Sequence, residues 1–230
     1  MSEIAVVLLS GGMDSAVTAA IAKESGYSLA CLHLNYGQKT EKRELKQFDE
    51  LCIHFGAVTS MVTDVRFLSQ IGGSSLTDER IEITDADLDS TEIPSSYVPF
   101  RNANILAMAT SWAEVIGAKA LYIGAVYEDS SGYPDTRRDF FDAFEKVIEK
   151  GTKPETKIKI ITPIIDMGKD EIIKKGLELG VPFEKTWSCY KNDEKACGKC
   201  DSCGLRLRAY EKVGISDPIE YEFMKSYKKN

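Results

Sequence analysis

Ser10-Gly11-Gly12-Met13-Asp14-Ser15 sets two glycines, two hydroxyls and a carboxylate within six residues. An apolar run, Ile4 to Leu9, precedes it, and Ala16 to Lys23 after it reads as a helix. The order is strand, glycine turn, helix N-terminus. Glycines let a backbone approach a ligand with no Cβ in the way. A helix start offers unpaired N–H groups and the positive end of the dipole, which suits pyrophosphate. Ser10 and Ser15 add hydroxyl donors. No lysine follows the second glycine, as a Walker A loop requires, and no G-x-G-x-x-G dinucleotide fingerprint is present.

A second cluster lies near the C-terminus. Cys189, Cys197, Cys200 and Cys203 are separated by seven, two and two residues. Four thiolates at this spacing make a closed tetrahedral site of the structural zinc type. A [4Fe–4S] cluster shares the C-x2-C-x2-C run, but a ferredoxin-type sequence continues to a further cysteine where Leu207 stands. Zinc is therefore favoured. Cys31 and Cys52, and the only histidines, His33 and His54, lie in apolar contexts and read as core or partly buried residues.

The elements that must position these groups follow from periodicity. Strands are predicted at Ile4–Leu9, Ser28–Leu34, Val58–Val62, Lys119–Val126 and Ile158–Ile161. Helices are predicted at Thr40–Phe55, Arg101–Gly117, Asp139–Lys150 and Lys169–Leu179, beside the one after the glycine turn. Residues 64–99 read as irregular. Alternating strands and helices imply an α/β doubly wound parallel sheet with its ligands beyond the strands' carboxyl ends. Ser10–Ser15, Tyr36–Gln38, Val98–Asn102 and Glu128–Arg137 then share one rim. Arg101 is notable because a cation at a helix start opposes the dipole unless an anion offsets it. The expected division is a nucleotide-binding domain over 1–182 and a zinc-binding segment over 183–230.

The 230 residues are 43% hydrophobic and carry a net charge of −7. The acidic balance argues against broad nucleic-acid binding. No run has the length of a membrane span, and residues 1–9 lack a basic signal-type start. The expectation is a cytoplasmic protein with no membrane partner. No stretch accommodates a glutaminase domain, which normally needs a cysteine nucleophile activated by a base.

The S-G-G-x-D-S run resembles the PP-loop ATP pyrophosphatases. With Tyr36-Gly37-Gln38, Arg101-Asn102, Glu128-Asp129, Tyr133-Pro134-Asp135 and the four cysteines, the chain resembles the 7-cyano-7-deazaguanine synthase family end to end. The resemblance implies an adenine nucleotide α-hydrolase-like fold of the HUP type. It implies ATP binding, with Mg²⁺, at Leu8, Leu9, Ser10, Gly11, Gly12, Met13, Asp14, Ser15, Ala16, Val17 and Thr18. It implies catalytic roles for Asp14, Ser15 and Arg101. Substrate binding falls to Tyr36, Arg101, Asn102, Glu128, Asp129, Tyr133 and Asp135, and one structural Zn²⁺ to Cys189, Cys197, Cys200 and Cys203. The implied reaction joins 7-carboxy-7-deazaguanine and ammonia in a homodimeric ligase of queuosine- and archaeosine-type biosynthesis, with no stably bound nucleic acid. Thr136 stands where the family often has cysteine. Three rival readings are an enzyme attaching the activated deazaguanine to a macromolecular amine, a tRNA-modifying PP-loop enzyme, and a zinc-ribbon module using Arg206 and Arg208 on nucleic acid.

Overall fold

The computed structural model describes residues 2–88, 90, 92–127 and 133–227. Five parallel strands lie in the order β3-β2-β1-β4-β5. They are β1 Ile4–Leu8, β2 Ser28–Asn35, β3 Thr59–Asp64, β4 Ala120–Ile123 and β5 Lys159–Ile161. The helices are α1 Met13–Glu24, α2 Glu41–Phe55, α3 Phe67–Ile71, α4 Arg101–Ile116, α5 Arg138–Gly151, α6 Lys169–Glu178 and α7 Asp201–Val213. Two core layers sandwich the sheet. Val7, Leu9 and Cys31 face α1, α2, α6 and α7, while Val6, Leu8 and Leu32 face α4 and α5. Covering both faces is why β1 and β2 read as unbroken apolar runs rather than alternating ones.

From β1 the chain moves outward to β2 and β3, then returns to place β4 on the other side of β1. The carboxyl end of β1 is thus the point where strand order reverses, the site at which open α/β sheets bind ligands. The glycine turn occupies it.

Several elements differ from their predicted bounds. β4 stops at Ile123 because Gly124 packs onto the first turn of α1. A Cβ there would lie 3.0 Å from both the Asp14 carbonyl carbon and Thr18 Oγ1. β3 begins one residue later and runs two residues further than the apolar count suggests. His54 is exposed on α2 and not part of the core, whereas His33 is buried with its Nδ1 3.2 Å from the Leu9 carbonyl. Helices α3 and α7 lie in stretches with no helix predicted. α7 carries Cys203, Leu207 and Tyr210 on one buried face, so residues read as metal ligands also serve helical packing.

Arg206 is buried and therefore not a nucleic-acid contact. Its guanidinium makes a bidentate pair with Asp217, at 2.7 and 2.9 Å, with both side chains 1% exposed. It also donates to Thr186 Oγ1 and the Phe183 carbonyl, while the Tyr221 hydroxyl donates to Asp217. This network ties α7 and the chain after it to the segment 183–188. Removing one member of a buried pair strands the other charge. Asp217→Ala is expected to lower unfolding free energy by about 3–5 kcal/mol in urea titrations, and Lys174→Ala, at an exposed pair, by under about 1 kcal/mol.

Candidate active site

The loop after β1 is bonded to itself. Ser15 Oγ donates to the Gly12 carbonyl at 2.9 Å and lies 3.1 Å from Ser10 Oγ. The amide N–H groups of Ser10 and Gly12 donate to Ser15 Oγ and Ser10 Oγ, each at 3.2 Å. Gly11 has φ +88°, and a Cβ on it would meet the Glu44 carbonyl oxygen at 2.6 Å. Gly12 caps α1 with extended backbone and no side-chain cap, which leaves the first-turn amides directed at the cavity mouth.

Lys169, at the first position of α6, pairs with Asp14 Oδ2 at 2.5 Å. The other carboxylate oxygen, Asp14 Oδ1, is buried with no hydrogen-bond partner among the described residues. An orphaned carboxylate oxygen beside a phosphate-type loop suits a hard divalent cation that takes oxygen ligands.

Two cavities meet at this point. The smaller, about 270 Å³, is lined by Leu8, Leu9, Ser10, Gly12, Met13, Asp14 and Ser15, with Leu34, Tyr36, Glu44 and Trp187 opposite. The larger, about 500 Å³, runs from Asp14 past Ser96, Tyr133 and Thr136 to Tyr190, Asp201 and Ser202. Asp14, Arg101, Asn102 and Gly124 border both.

Arg101 sits between them. Its guanidinium lies 5.2 Å from the centre of the Tyr36 ring and donates to the Tyr36 hydroxyl at 3.3 Å. The Tyr133 hydroxyl is 2.7 Å from Ser96 Oγ, and its ring lies 5.3 Å from that of Tyr97. Burial pushes the hydroxyls of Tyr36, Tyr133 and Tyr190 above the usual tyrosine range, so at neutral pH they stay uncharged, and that of Tyr36 accepts from Arg101.

Other expected residues lie elsewhere. Asp135 accepts the Asn102 amide at 3.0 Å, and Asn102 Nδ2 donates to the Asp135 carbonyl at 2.8 Å. Asp135 thereby caps α4 and, among the described residues, borders neither cavity. Gly11 lies beneath the loop surface. Ala16, Val17 and Thr18 continue α1 inside the protein. Glu128 and Asp129 lie outside the described residues. Thr136 lines the larger cavity and donates to the Tyr133 carbonyl at 3.0 Å.

Lys169, Glu44, Trp187, Tyr190 and Ser202 border the site without having been singled out in the sequence. Lys169 carried a usable signal. It is a cation in a helix first turn, the same feature that marks Arg101. The others come from segments far apart in the chain and carry no local signature.

The four cysteine sulfurs all lie within 4.8 Å of one another and are buried. The amides of Lys191, Asn192 and Cys197 point at Cys189 Sγ, and those of Lys199 and Cys200 at Cys197 Sγ, at 3.3–3.4 Å. Amide donors converging on sulfur stabilise thiolates, so the donor set fits a thiophilic metal.

Glu44 accepts hydrogen bonds from Thr40 Oγ1 at 2.7 Å and Gln38 Nε2 at 3.1 Å. Burial outweighs these bonds and pushes its carboxyl from the ordinary 4.5 up to about 7. A raised carboxyl pKa means that the folded protein holds this proton more tightly than the unfolded chain. The contribution is fully present below the ordinary value and is lost as pH rises through the raised one. Glu44→Gln should remove this slope. Between about pH 5 and about pH 8 the variant is expected to gain on the order of 1–3 kcal/mol over the wild type, read from urea unfolding at each pH.

Residues 4–214 match the family model described as "Queuosine biosynthesis protein QueC". The chain is 59% identical to the 7-cyano-7-deazaguanine synthase of Chlorobaculum tepidum, over 97% of this chain and 98% of that one. It is 60% identical to the synthase of the same name from Chloroherpeton thalassium, over 97% and 99%. Among solved structures, a 4-thiouridine synthetase–RNA complex with bound ATP aligns at TM-score 0.51 and 19% identity, over 78% of this chain and 41% of that one. A predicted tRNA methyltransferase subunit from Methanocaldococcus jannaschii aligns at TM-score 0.50 and 16% identity, over 94% and 90%. These two likenesses concern the fold alone and agree with the parallel α/β sheet described above. By its sequence the chain belongs to the QueC family, whose curated relatives are 7-cyano-7-deazaguanine synthases.

Proposed function

We propose that the protein converts 7-carboxy-7-deazaguanine and ammonia into 7-cyano-7-deazaguanine, with ATP cleaved to AMP and pyrophosphate at each of two stages. The observation that carries this reading is the meeting of two cavities at Asp14 and Arg101 in a chain of this family. The smaller cavity takes the nucleotide and the larger the deazaguanine acid.

In the first stage a carboxylate oxygen of the substrate attacks the α-phosphorus, and the bond to the bridging oxygen breaks with its electron pair, releasing pyrophosphate. Ammonia adds to the acyl carbon, AMP leaves, and loss of a proton gives the amide. In the second stage the amide oxygen attacks the α-phosphorus of another ATP. Departure of AMP and of the two nitrogen protons leaves the nitrile. The loop amides, Ser10, Ser15 and Lys169 hold the negative charge of the leaving pyrophosphate. Arg101 orients the substrate carboxylate between the two cavities. Mg²⁺ on Asp14 would supply further charge neutralisation when bound. Zn²⁺ on the four cysteines would cross-link the C-terminal segment. The same reading takes the protein as a cytoplasmic homodimer acting on free small molecules. Among the described residues no helix is long and apolar enough to cross a membrane.

Products identified by mass should be AMP and pyrophosphate; ADP with orthophosphate would contradict the reading. Asp14→Asn and Lys169→Met are each expected to lower kcat/KM by roughly a hundredfold, as for loss of one transition-state charge contact.

The nitrogen source is free ammonia. Cys31 is buried, Cys52 half-buried, His33 buried and His54 on the outer face of α2, which leaves no exposed cysteine–histidine pair among the described residues. Glutamine replacing ammonium in ammonia-free buffer should give no nitrile. At limiting ATP the amide should accumulate, with one ATP used per amide and a second per nitrile.

A further inference from the structure

The four-cysteine segment touches the phosphate loop. The backbone N–H of Trp187, two residues before Cys189, donates to the Gly11 carbonyl at 2.8 Å. Trp187 is 2% exposed and packs in one cluster with all four cysteines. Its Nε1 donates to the Asn192 carbonyl at 3.0 Å, inside the loop that wraps Cys189. The Arg43 guanidinium lies 4.5 Å from the centre of its ring. Arg43 precedes Glu44, whose carbonyl presses on Gly11 from the other side. Gly11 is therefore held between α2 and Trp187, and Arg43 closes the bracket from behind.

The same segment holds the wall of the larger cavity. The Ala86 amide donates to the Lys199 carbonyl at 2.7 Å, and the Asp87 amide to Asp201 Oδ1 at 3.3 Å. Residues flanking Cys200 thus fix a stretch that carries no helix or strand of its own.

We propose that the metal-binding segment sets the phosphate loop, with Trp187 as the positioning residue, so that metal occupancy governs nucleotide affinity. The four thiolates fix Cys189, Cys189 fixes the backbone at Trp187, and the Trp187 N–H orients the Gly11 carbonyl. That carbonyl shares its peptide plane with the Gly12 N–H, which donates to Ser10 Oγ on the wall of the smaller cavity. Without the metal the sulfurs repel or drift apart, and the bracket on one side of Gly11 is lost. The segment is then part of the binding apparatus and not only a fold staple.

The proposal rests on the reading of the loop as an ATP site, and its test separates the two. Hydrogen exchange is measured on the full-length protein as purified with metal and after chelation, without nucleotide. Amides at 10–15 should lose protection on chelation while β1 and β2 keep theirs. Binding of a non-hydrolysable ATP analogue should weaken roughly tenfold, the scale of one or two lost hydrogen bonds, and recover when Zn²⁺ is restored. Trp187→Leu should retain metal by elemental analysis yet raise KM for ATP roughly tenfold, leaving KM for the deazaguanine acid within about twofold, because Trp187 borders only the smaller cavity. Trp187→Phe, which keeps a ring under Arg43, should recover most of the loss. Unchanged protection at 10–15 after chelation overturns the proposal, as does collapse of β1 and β2 protection together with the loop. A metal-loaded protein that shows the exchange effect but binds no ATP analogue overturns the nucleotide reading and leaves the coupling standing.

Discussion

The close approach at Gly11 is the constraint on which the site depends. Its positive φ and the carbonyl of Glu44 leave no room for a side chain. Because the backbone can come that near α2, the loop turns sharply enough to bring Ser10 and Ser15 within hydrogen-bond distance. That turn in turn aims the first amides of α1 outward. The Trp187 N–H and Glu44 carbonyl fix the same residue from elements that lie far apart in the chain. Loop geometry is therefore a tertiary property, although its residues are contiguous.

Charge placement follows a single logic. Lys169 and Arg101 both stand in the first turn of a helix, where the dipole disfavours a cation. Lys169 is compensated by Asp14. Arg101 has the rings and hydroxyls of tyrosines about it, which soften the cost of burial without neutralising the charge. Lys169 thus lines the larger cavity beside Asp14, and Arg101 borders both cavities. The phosphates of a nucleotide and the carboxylate of a small acid are complementary to that arrangement.

The sheet, the glycine turn at the end of β1 and the cysteine cluster were legible because each is written in adjacent residues. A buried parallel strand is a run of apolar side chains. A phosphate loop needs glycines and hydroxyls beside one another. Four cysteines within fifteen residues are a ligand set whatever surrounds them. What was not legible lies in relations between segments. Glu44, Trp187 and Ser202 reach the cavities only because α2, the 183–190 stretch and α7 fold onto the end of β1. α7 itself was hidden, since its buried face is built partly of cysteines and of Arg206, a residue that reads as surface until its partner Asp217 is in place. Asp135 shows the converse. It sits in a polar turn after a strand, where a ligand contact is expected, yet its carboxylate accepts the Asn102 amide of α4.

The lining of the larger cavity carries charge of both signs. Asp85, Asp87 and Glu92 are exposed on it and Asp201 is half-buried, while Lys191 pairs with Asp85 at 3.5 Å and Arg208 stands on the same wall. Arg101 borders both cavities and Lys169 stands beside Asp14. A charge pair between exposed side chains is screened by water and salt, whereas a buried guanidinium is screened far less. The charge that an entering group meets most strongly is therefore that of Arg101 at the junction, and not that of the carboxylates at the rim.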